Sequence, residues 1–301
     1  MQAIAPKSTP IGMVGLGFMG SAISSHIVAA GYELVGFDID RQRLETLVAR
    51  GGRAASSTRE VAEKAGIVLT SLPSLAAFKD VIWGPEGILS SGHGGLVVME
   101  CSTLAVEDKK RAQEDLAAAG MTMLDCPISG GIRASEKDLV LYGSGEKGTY
   151  ERCLPLIESF SRANYYLGDF GNGMKMKVLA NLLVAVHNVS SAEVMVLGMK
   201  AGLAPELIYQ VMNNSSGRSR MLEVRGLRMV KDDYDNPTMK VKTFEKDLKI
   251  IESFAASLNC PTPLFASTFQ VYLSALAKGL GDKDTASVCA VLEEWANLKR
   301  N

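Results

Sequence analysis

Lys177 is the side chain best suited, by type and spacing, to move a proton. It follows Gly171-Asn172-Gly173 and falls in the first turn expected of a long helix, where a cation opposes the helix dipole. That opposition, together with partial burial in a cleft between domains, disfavours the charged form. An amine tuned toward neutrality can take the proton of a hydroxyl while hydride leaves the same carbon, and can return it in reduction. Asn181 lies one turn on and Asn188 about three turns on, so the three share a helix face. Spacing alone also fits a solvated lysine at a helix start, the reading that suits its neighbour Lys175.

Ser129-Gly130-Gly131 is the second candidate. Paired glycines after a strand expose successive N–H groups which, with the Ser129 hydroxyl, suit a substrate carboxylate; the same residues fit an ordinary strand-to-helix turn. Arg218, within Ser215-Ser216-Gly217-Arg218-Ser219, fits either an anionic substrate or a helix cap, and Lys246-Asp247 fits a solvated helix face. The three histidines are isolated: His26 in the first helix, His93 in a glycine-rich loop, and His187 packed inside the long helix. Five cysteines, odd in number and without CxxC spacing, suit free thiols in a reducing cytoplasm rather than disulfides or zinc. No cluster of metal ligands is visible.

These groups need a scaffold, and residues 10–40 supply its plan. An apolar run, Ile11 to Val14, meets Gly15-Leu16-Gly17-Phe18-Met19-Gly20; a helical segment follows, and a second apolar run ends on Asp38, eighteen residues after Gly20. Gly15 allows the turn, Gly17 admits a pyrophosphate to the backbone, and Gly20 lets the helix pack close to the strand. The pyrophosphate of a dinucleotide then sits on free N–H groups at a helix start. Asp38 accepts hydrogen bonds from the adenosine ribose hydroxyls and repels a 2′-phosphate. Arg41 and Arg43 are near, but Ile39 stands where an NADP-reading arginine is expected, so the pattern favours NAD over NADP. In the bland reading, Asp38 is a turn residue with Asp40.

Short β-branched runs (Leu34–Phe37, Ile67–Ser71, Leu96–Met99, Met121–Asp125) alternate with helical stretches (Arg41–Arg50, Leu75–Val81, Val106–Ala119), which predicts a doubly wound, mainly parallel α/β sheet. Ligands of such sheets bind beyond the carboxyl ends of the strands. Met174 to Ala201 lacks proline and predicts one helix of roughly 42 Å. After it the pattern is all-helical: Pro205–Met212, Thr243–Leu258, Thr262–Lys278 and Thr285–Leu298. The expected organisation is a loose tail over residues 1–10, a Rossmann domain over 11–170, and a helical domain over 171–301 carrying the long helix at about 174–201. Net charge is −1, with no basic stripe to hold nucleic acid or an anionic membrane, no signal-peptide core, and no apolar stretch as long as a membrane span.

Four motifs together resemble the β-hydroxyacid dehydrogenases: Gly15 to Gly20; Asp125-Cys126-Pro127-Ile128-Ser129-Gly130-Gly131; Gly171-Asn172-Gly173-Met174-Lys175-Met176-Lys177 with Asn181; and Lys246-Asp247-Leu248. The resemblance covers nearly the whole chain. It implies Lys177 as general acid/base and Asn181 as a positioning amide. It further implies Ser129, Gly130 and Gly131 on the substrate carboxylate, and Leu72, Pro73, Thr103 and Lys246 along the dinucleotide. It also implies a small 3-hydroxy acid as substrate and a homodimer or homotetramer. The alternatives are an NADPH-dependent reductase of a semialdehyde acid such as tartronate or succinate semialdehyde, an imine reductase, and a non-catalytic dinucleotide-sensing module. The chain departs from the family at Arg133 to Leu139, which is one residue shorter and lacks a glycine, at Ala180-Asn181 in place of paired asparagines, and at Glu100-Cys101. Ala185-Val186-His187 and Ser216 to Ser219 resemble the threonate and hydroxymethylglutarate types.

Overall fold

The computed structural model describes residues 9–130 and 136–300, which pack as two compact units, Met1–Lys177 and Val178–Asn301. In the first, β1 (Ile11–Val14), α1 (Phe18–Ala29), β2 (Leu34–Phe37), α2 (Arg41–Ala49), β3 (Arg53–Ala54), α3 (Thr58–Lys64), β4 (Ile67–Thr70), α4 (Leu75–Trp83), β5 (Val97–Glu100), α5 (Val106–Ala118) and β6 (Thr122–Asp125) alternate. The six strands form an all-parallel sheet in the order β3-β2-β1-β4-β5-β6. This is the doubly wound Rossmann sheet that the sequence implied.

Successive side chains of a strand point to opposite faces, and both faces here are covered. Ile11, Met13, Leu34, Ile67, Leu69, Val97 and Met99 belong to one buried cluster. The intervening Val14, Val35, Val68 and Val98 belong to another. The strands therefore read as unbroken apolar runs. Side-chain caps fix where helices start: Asp40 accepts from Gln42 N, Ser57 from Glu60 N and Ser74 from Ala77 N.

A second, three-stranded sheet was not anticipated. It comprises β7 (Ile128–Ser129), β8 (Val140–Gly143) and β9 (Ala163–Tyr166), with α6 (Lys147–Phe160) between β8 and β9. β7 is two residues long, and α6 contains Pro155, which ordinarily argues against a helix interior.

The helix α7 (Asn172–Lys200) has 29 residues and runs from the first unit into the second. It begins before Met174, so Lys177 lies in its second turn rather than its first. A dipole argument weakens there, because the helix-end field fades within one turn. The expectation that no apolar stretch matches a membrane span also fails: α7 is long and apolar enough by length and composition. Within the helical unit, however, it carries fully buried Asn188, whose amide donates to Tyr272 Oη and Thr285 O at 2.8 Å each. Those two donations tie α7 into the core of the helical unit, although Asn188 Oδ1 is buried without a partner among the described residues.

The rest of the helical unit comprises α8 (Pro205–Asn213), α9 (Arg220–Lys231), α10 (Val241–Ser257), α11 (Pro263–Ala277) and α12 (Val288–Trp295), around a core that includes Phe244, Leu248, Phe269 and Tyr272. Of these, α9 was missing from the expected helices. Residues 1–8 of the expected tail lie outside the described residues.

Candidate active site

Parallel register sets the site. Val14 pairs with Phe37 and Thr70, Thr70 with Glu100, and Glu100 with Asp125. The residues that follow these five strand ends, Gly15, Asp38, Ser71 to Pro73, Cys101 to Thr103 and Cys126, therefore line one carboxyl edge of the sheet. The glycine turn, Asp38, Leu72, Pro73 and Thr103 are thus brought together by pairing alone. Pro73 is exposed, while Leu72 and Thr103 are half-buried.

The three glycines of the turn differ physically. Gly15 has φ +87°, and a β-carbon there would run into the Ser71 carbonyl oxygen. At Gly20 a β-carbon would overlap the Gly15 carbonyl oxygen, so this glycine sets how closely α1 approaches β1. A β-carbon at Gly17 would meet only Arg43 Nη1, at 3.7 Å. No side chain caps α1, whose first turn follows directly on Gly17. The open side of the turn, with its helix-start N–H groups, fits a dinucleotide pyrophosphate.

Asp38 is buried. Its Oδ2 accepts from Leu16 N at 2.6 Å and from Arg43 Nη1 at 3.3 Å; its Oδ1 accepts from Asp40 N at 2.9 Å. The carboxylate organises its own turn, as the bland reading held, and also stands at the end of β2 where a ribose is read. Arg43 is committed to Asp38 and to Asp40, the latter at 3.3 Å, and Ile39 is 95 % exposed.

Ser129 closes β7 and is half-buried; Gly130 follows with φ +103°, and a β-carbon there would strike the Asp138 carbonyl oxygen. Gly131 lies outside the described residues, as do positions 133–135 of the shortened loop. Of that loop's remainder, Asp138 pairs with Arg162 at 2.8 Å. Arg218 is exposed and borders an open depression with Asn213, Arg220 and Glu223; the capping of α9 falls to Ser219, which accepts from Leu222 N.

Asn181 is buried, and its Nδ2 donates to Asp247 Oδ2 at 2.9 Å. Lys246 Nζ lies 3.0 Å from Asp247 Oδ1, an ion-pair distance without hydrogen-bond alignment. Asp247 is therefore not a solvated-face residue: it fixes the amide of Asn181 and leaves the Asn181 carbonyl oxygen as the end open to other partners. Its place after Lys246 hid it, because only the fold brings α10 to α7. Asn188 is committed to the helical core as described above.

The joining of Asp125 and Glu100 by a buried lysine was not anticipated. Lys109 in α5 is fully buried, with Nζ 2.7 Å from Asp125 Oδ1 and 3.9 Å from Glu100 Oε1, both carboxylates being fully buried too. Asp125 Oδ2 accepts from Met174 N at 2.7 Å and from Ser144 Oγ at 3.2 Å, while Gly173 N donates to Ser144 Oγ at 2.9 Å. The first turn of α7 is thus capped by side chains from β6 and the β8 turn. Glu100 Oε1 accepts from Ser102 N at 2.6 Å, its Oε2 accepts from Thr70 Oγ1, and Ser102 Oγ accepts from Leu72 N at 2.8 Å. Burial on its own lowers the Lys109 pKa, but the charges of Asp125 and Glu100 outweigh it and the net shift is upward. Among the described residues no group of histidine, cysteine, aspartate or glutamate is arranged for a metal ion.

Sheet order, glycine turn and strand-end acid define a dinucleotide-binding oxidoreductase fold. Comparison with known proteins narrows the class. Residues 10–168 match the NAD binding domain of 6-phosphogluconate dehydrogenase, and residues 171–292 match the NAD-binding domain of NADP-dependent 3-hydroxyisobutyrate dehydrogenase. The chain is 29 % identical to 2-(hydroxymethyl)glutarate dehydrogenase of Eubacterium barkeri, over 97 % of each. It is 32 % identical to L-threonate dehydrogenase of Escherichia coli O6:H1 over 93 % of this chain and 94 % of that one. The crystal structure of 3-hydroxyisobutyrate dehydrogenase from Salmonella typhimurium superimposes with a TM-score of 0.86 at 30 % identity, covering 94 % of this chain and 99 % of that one. The chain belongs to the β-hydroxyacid dehydrogenase family of NAD(P)-dependent oxidoreductases.

Proposed function

We propose that this protein oxidises a small 3-hydroxy acid of the L-threonate or 3-hydroxyisobutyrate kind with NAD, using Lys177 as general acid/base. The observation that carries the reading is the seating of Lys177. The helix bearing it starts on the Asp125 carboxylate, directly beyond the same sheet edge that gathers the glycine turn, Asp38, Leu72, Pro73 and Thr103.

A nicotinamide dinucleotide held along Gly15 to Gly20 and Asp38 would supply the hydride acceptor for the hydroxyl carbon, or the hydride donor in reduction. The chain's own residues do the rest. Lys177 Nζ takes the hydroxyl proton as the carbonyl forms, and gives it back in reverse. Ser129, Gly130 and Gly131 hold the substrate carboxylate through hydroxyl and N–H groups, with Arg218 as a further cation. Asn181, four residues along α7 from Lys177 and oriented by Asp247, presents its carbonyl oxygen to the substrate or to a water. Gly15 to Gly20 take the pyrophosphate, Asp38 the ribose hydroxyls, and Leu72, Pro73, Thr103 and Lys246 the remainder of the dinucleotide. Preference for NAD is supported by the Asp38 carboxylate and by an Arg43 already paired with two acids. The same reading places the enzyme in the cytoplasm as a homodimer or homotetramer.

The test is reduction of NAD and NADP with L-threonate, 3-hydroxyisobutyrate, D-glycerate, 2-(hydroxymethyl)glutarate and 3-hydroxypropionate, alongside Lys177→Ala. Turnover of one acid with NAD that collapses in the variant, with NAD binding retained, is expected. Near-normal turnover in Lys177→Ala would sink the mechanism, and silence across the panel would redirect the altered 133–139 loop to another substrate.

A further inference from the structure

We infer that Lys109 is a positioning residue, whose buried charge holds Asp125 as the external cap of α7 and so fixes Lys177. The inference rests on the reading of Lys177 as the proton-transfer group.

The N-terminal N–H groups of a helix need acceptors. In α7 they are met by Asp125, on Met174 N, and by Ser144, on Gly173 N. Lys177 follows Met174 by three residues, within one turn, so a shift at Met174 is carried to it through rigid helix. Asp125 accepts at both oxygens, from Lys109 on Oδ1 and from Met174 and Ser144 on Oδ2, as only a carboxylate can, and it is fully buried beside a second fully buried carboxylate, Glu100. Removing their shared cation would leave these buried carboxylates uncompensated. Lys109 is the cation that faces both, at 2.7 and 3.9 Å. Its other neighbour on this cluster is the Glu100 carbonyl oxygen, 3.5 Å from Nζ. Since Glu100 orders Ser102, and Ser102 holds Leu72 N, the same ammonium ties the strand-end loops to the helix start. None of these residues needs to touch substrate for the arrangement to matter, because a misplacement of about 1 Å in a reacting group can cost about a hundredfold in rate.

The experiment combines amide hydrogen exchange with steady-state kinetics on the full-length protein, comparing wild type with Lys109→Met and with the charge-balanced Lys109→Met/Asp125→Asn. The substrate is whichever acid of the panel turns over. In Lys109→Met, exchange over Gly171–Lys177 is expected to rise about tenfold or more while α10–α12 peptides are unchanged. The same variant should lose about ten- to a hundredfold in kcat, with KM changed only a few-fold. The double variant, with no buried charge left unpaired between these two positions, should recover part of that kcat. If Lys109→Met does not fold, Lys109→Gln, uncharged but still able to donate to Asp125, is read by the same exchange and kcat criteria. A folded variant with loosened α7 but unchanged kcat overturns the inference, as does unchanged exchange over Gly171–Lys177. Full turnover in Lys177→Ala instead strikes the underlying mechanism, and the exchange arm then still decides whether Lys109 holds the cap.

Discussion

Residue-scale chemistry at the glycine turn separates folding from binding. Gly17 has φ −62°, a value alanine adopts freely, and its missing β-carbon faces only the Arg43 guanidinium. Gly17→Ala is therefore expected to leave thermal stability unchanged or raised by up to about 1 kcal/mol. The same variant should weaken NAD binding about tenfold or more, through collision with the pyrophosphate. Gly20→Ala should do the opposite in rank, because its β-carbon meets backbone that cannot yield; overpacking of this kind costs about 1–3 kcal/mol. Thermal melts paired with NAD titration check both. A Gly17→Ala protein that binds NAD normally would remove the turn from the binding site. Asp38→Ala tests cofactor choice at the same edge: the NAD to NADP preference is expected to fall about tenfold, since a repulsion and two ribose acceptors go together. Unaltered selectivity would leave Asp38 with only its turn role on Leu16 N and Asp40 N. The backbone roles of Gly15 and Gly20 were legible in sequence because each is a local matter of turn and spacing. Asp247, Lys109 and Ser144 were not, because their partners lie 66, 16 and 29 residues away in Asn181, Asp125 and Gly173.

Elements were read best where one physical signal dominated. The strands of the parallel sheet announce themselves by apolar runs, because both faces are buried, and β2 has the expected bounds Leu34–Phe37. The second sheet carries no such signal: β9 is partly exposed, and β7 is too short for any period. The helix α9 was legible in principle, since Met221, Leu222, Arg225, Met229 and Val230 are buried at helical spacing after the Ser219 cap. A buried Arg225 and a mid-helix Gly226 masked it. Arg225 belongs to a junction centred on Asp284. That carboxylate lies 3.6 Å from Arg225 and 3.8 Å from Arg228, and accepts from Thr238 N, Thr238 Oγ1 and Ala286 N. Burial alone raises the Asp284 pKa, but the Arg225 charge and the donated hydrogen bonds outweigh it and leave the carboxyl lowered. A lowered folded pKa means stability that is present above the unfolded carboxylate value, about 3.9, and lost as pH falls through the folded one. Asp284→Asn is expected to cost about 3–5 kcal/mol at neutral pH, as for a broken buried pair, and to flatten acid destabilisation of the helical unit. Denaturant melts between about pH 2 and 5, which reach from above the unfolded carboxylate value to below it, decide it. Parallel pH curves for the two proteins would mean that Asp284 is not the group titrating.

At the scale of the molecule, the helical unit leaves apolar surface that its own core does not use. Leu179, Leu183, Val194 and Leu197 on α7 are 52, 52, 40 and 72 % exposed, and Leu207 and Val211 on α8 add 48 % each. Side chains of this size, left exposed along a helix whose Asn188 amide is spent on the core, are what a monomer avoids and an oligomer covers. The same composition makes α7 pass for a membrane span, so one experiment addresses both readings. The protein is expected to purify without detergent and to sediment as a dimer or tetramer at micromolar concentration. Leu183→Lys with Leu197→Lys should shift it to smaller species while leaving far-ultraviolet circular dichroism unchanged, since neither side chain contributes to the core. A wild-type monomer that stays soluble would assign these leucines no role in assembly. Wild-type protein that requires detergent, and loses that requirement in the double variant, would place a lipid surface rather than a second copy against α7.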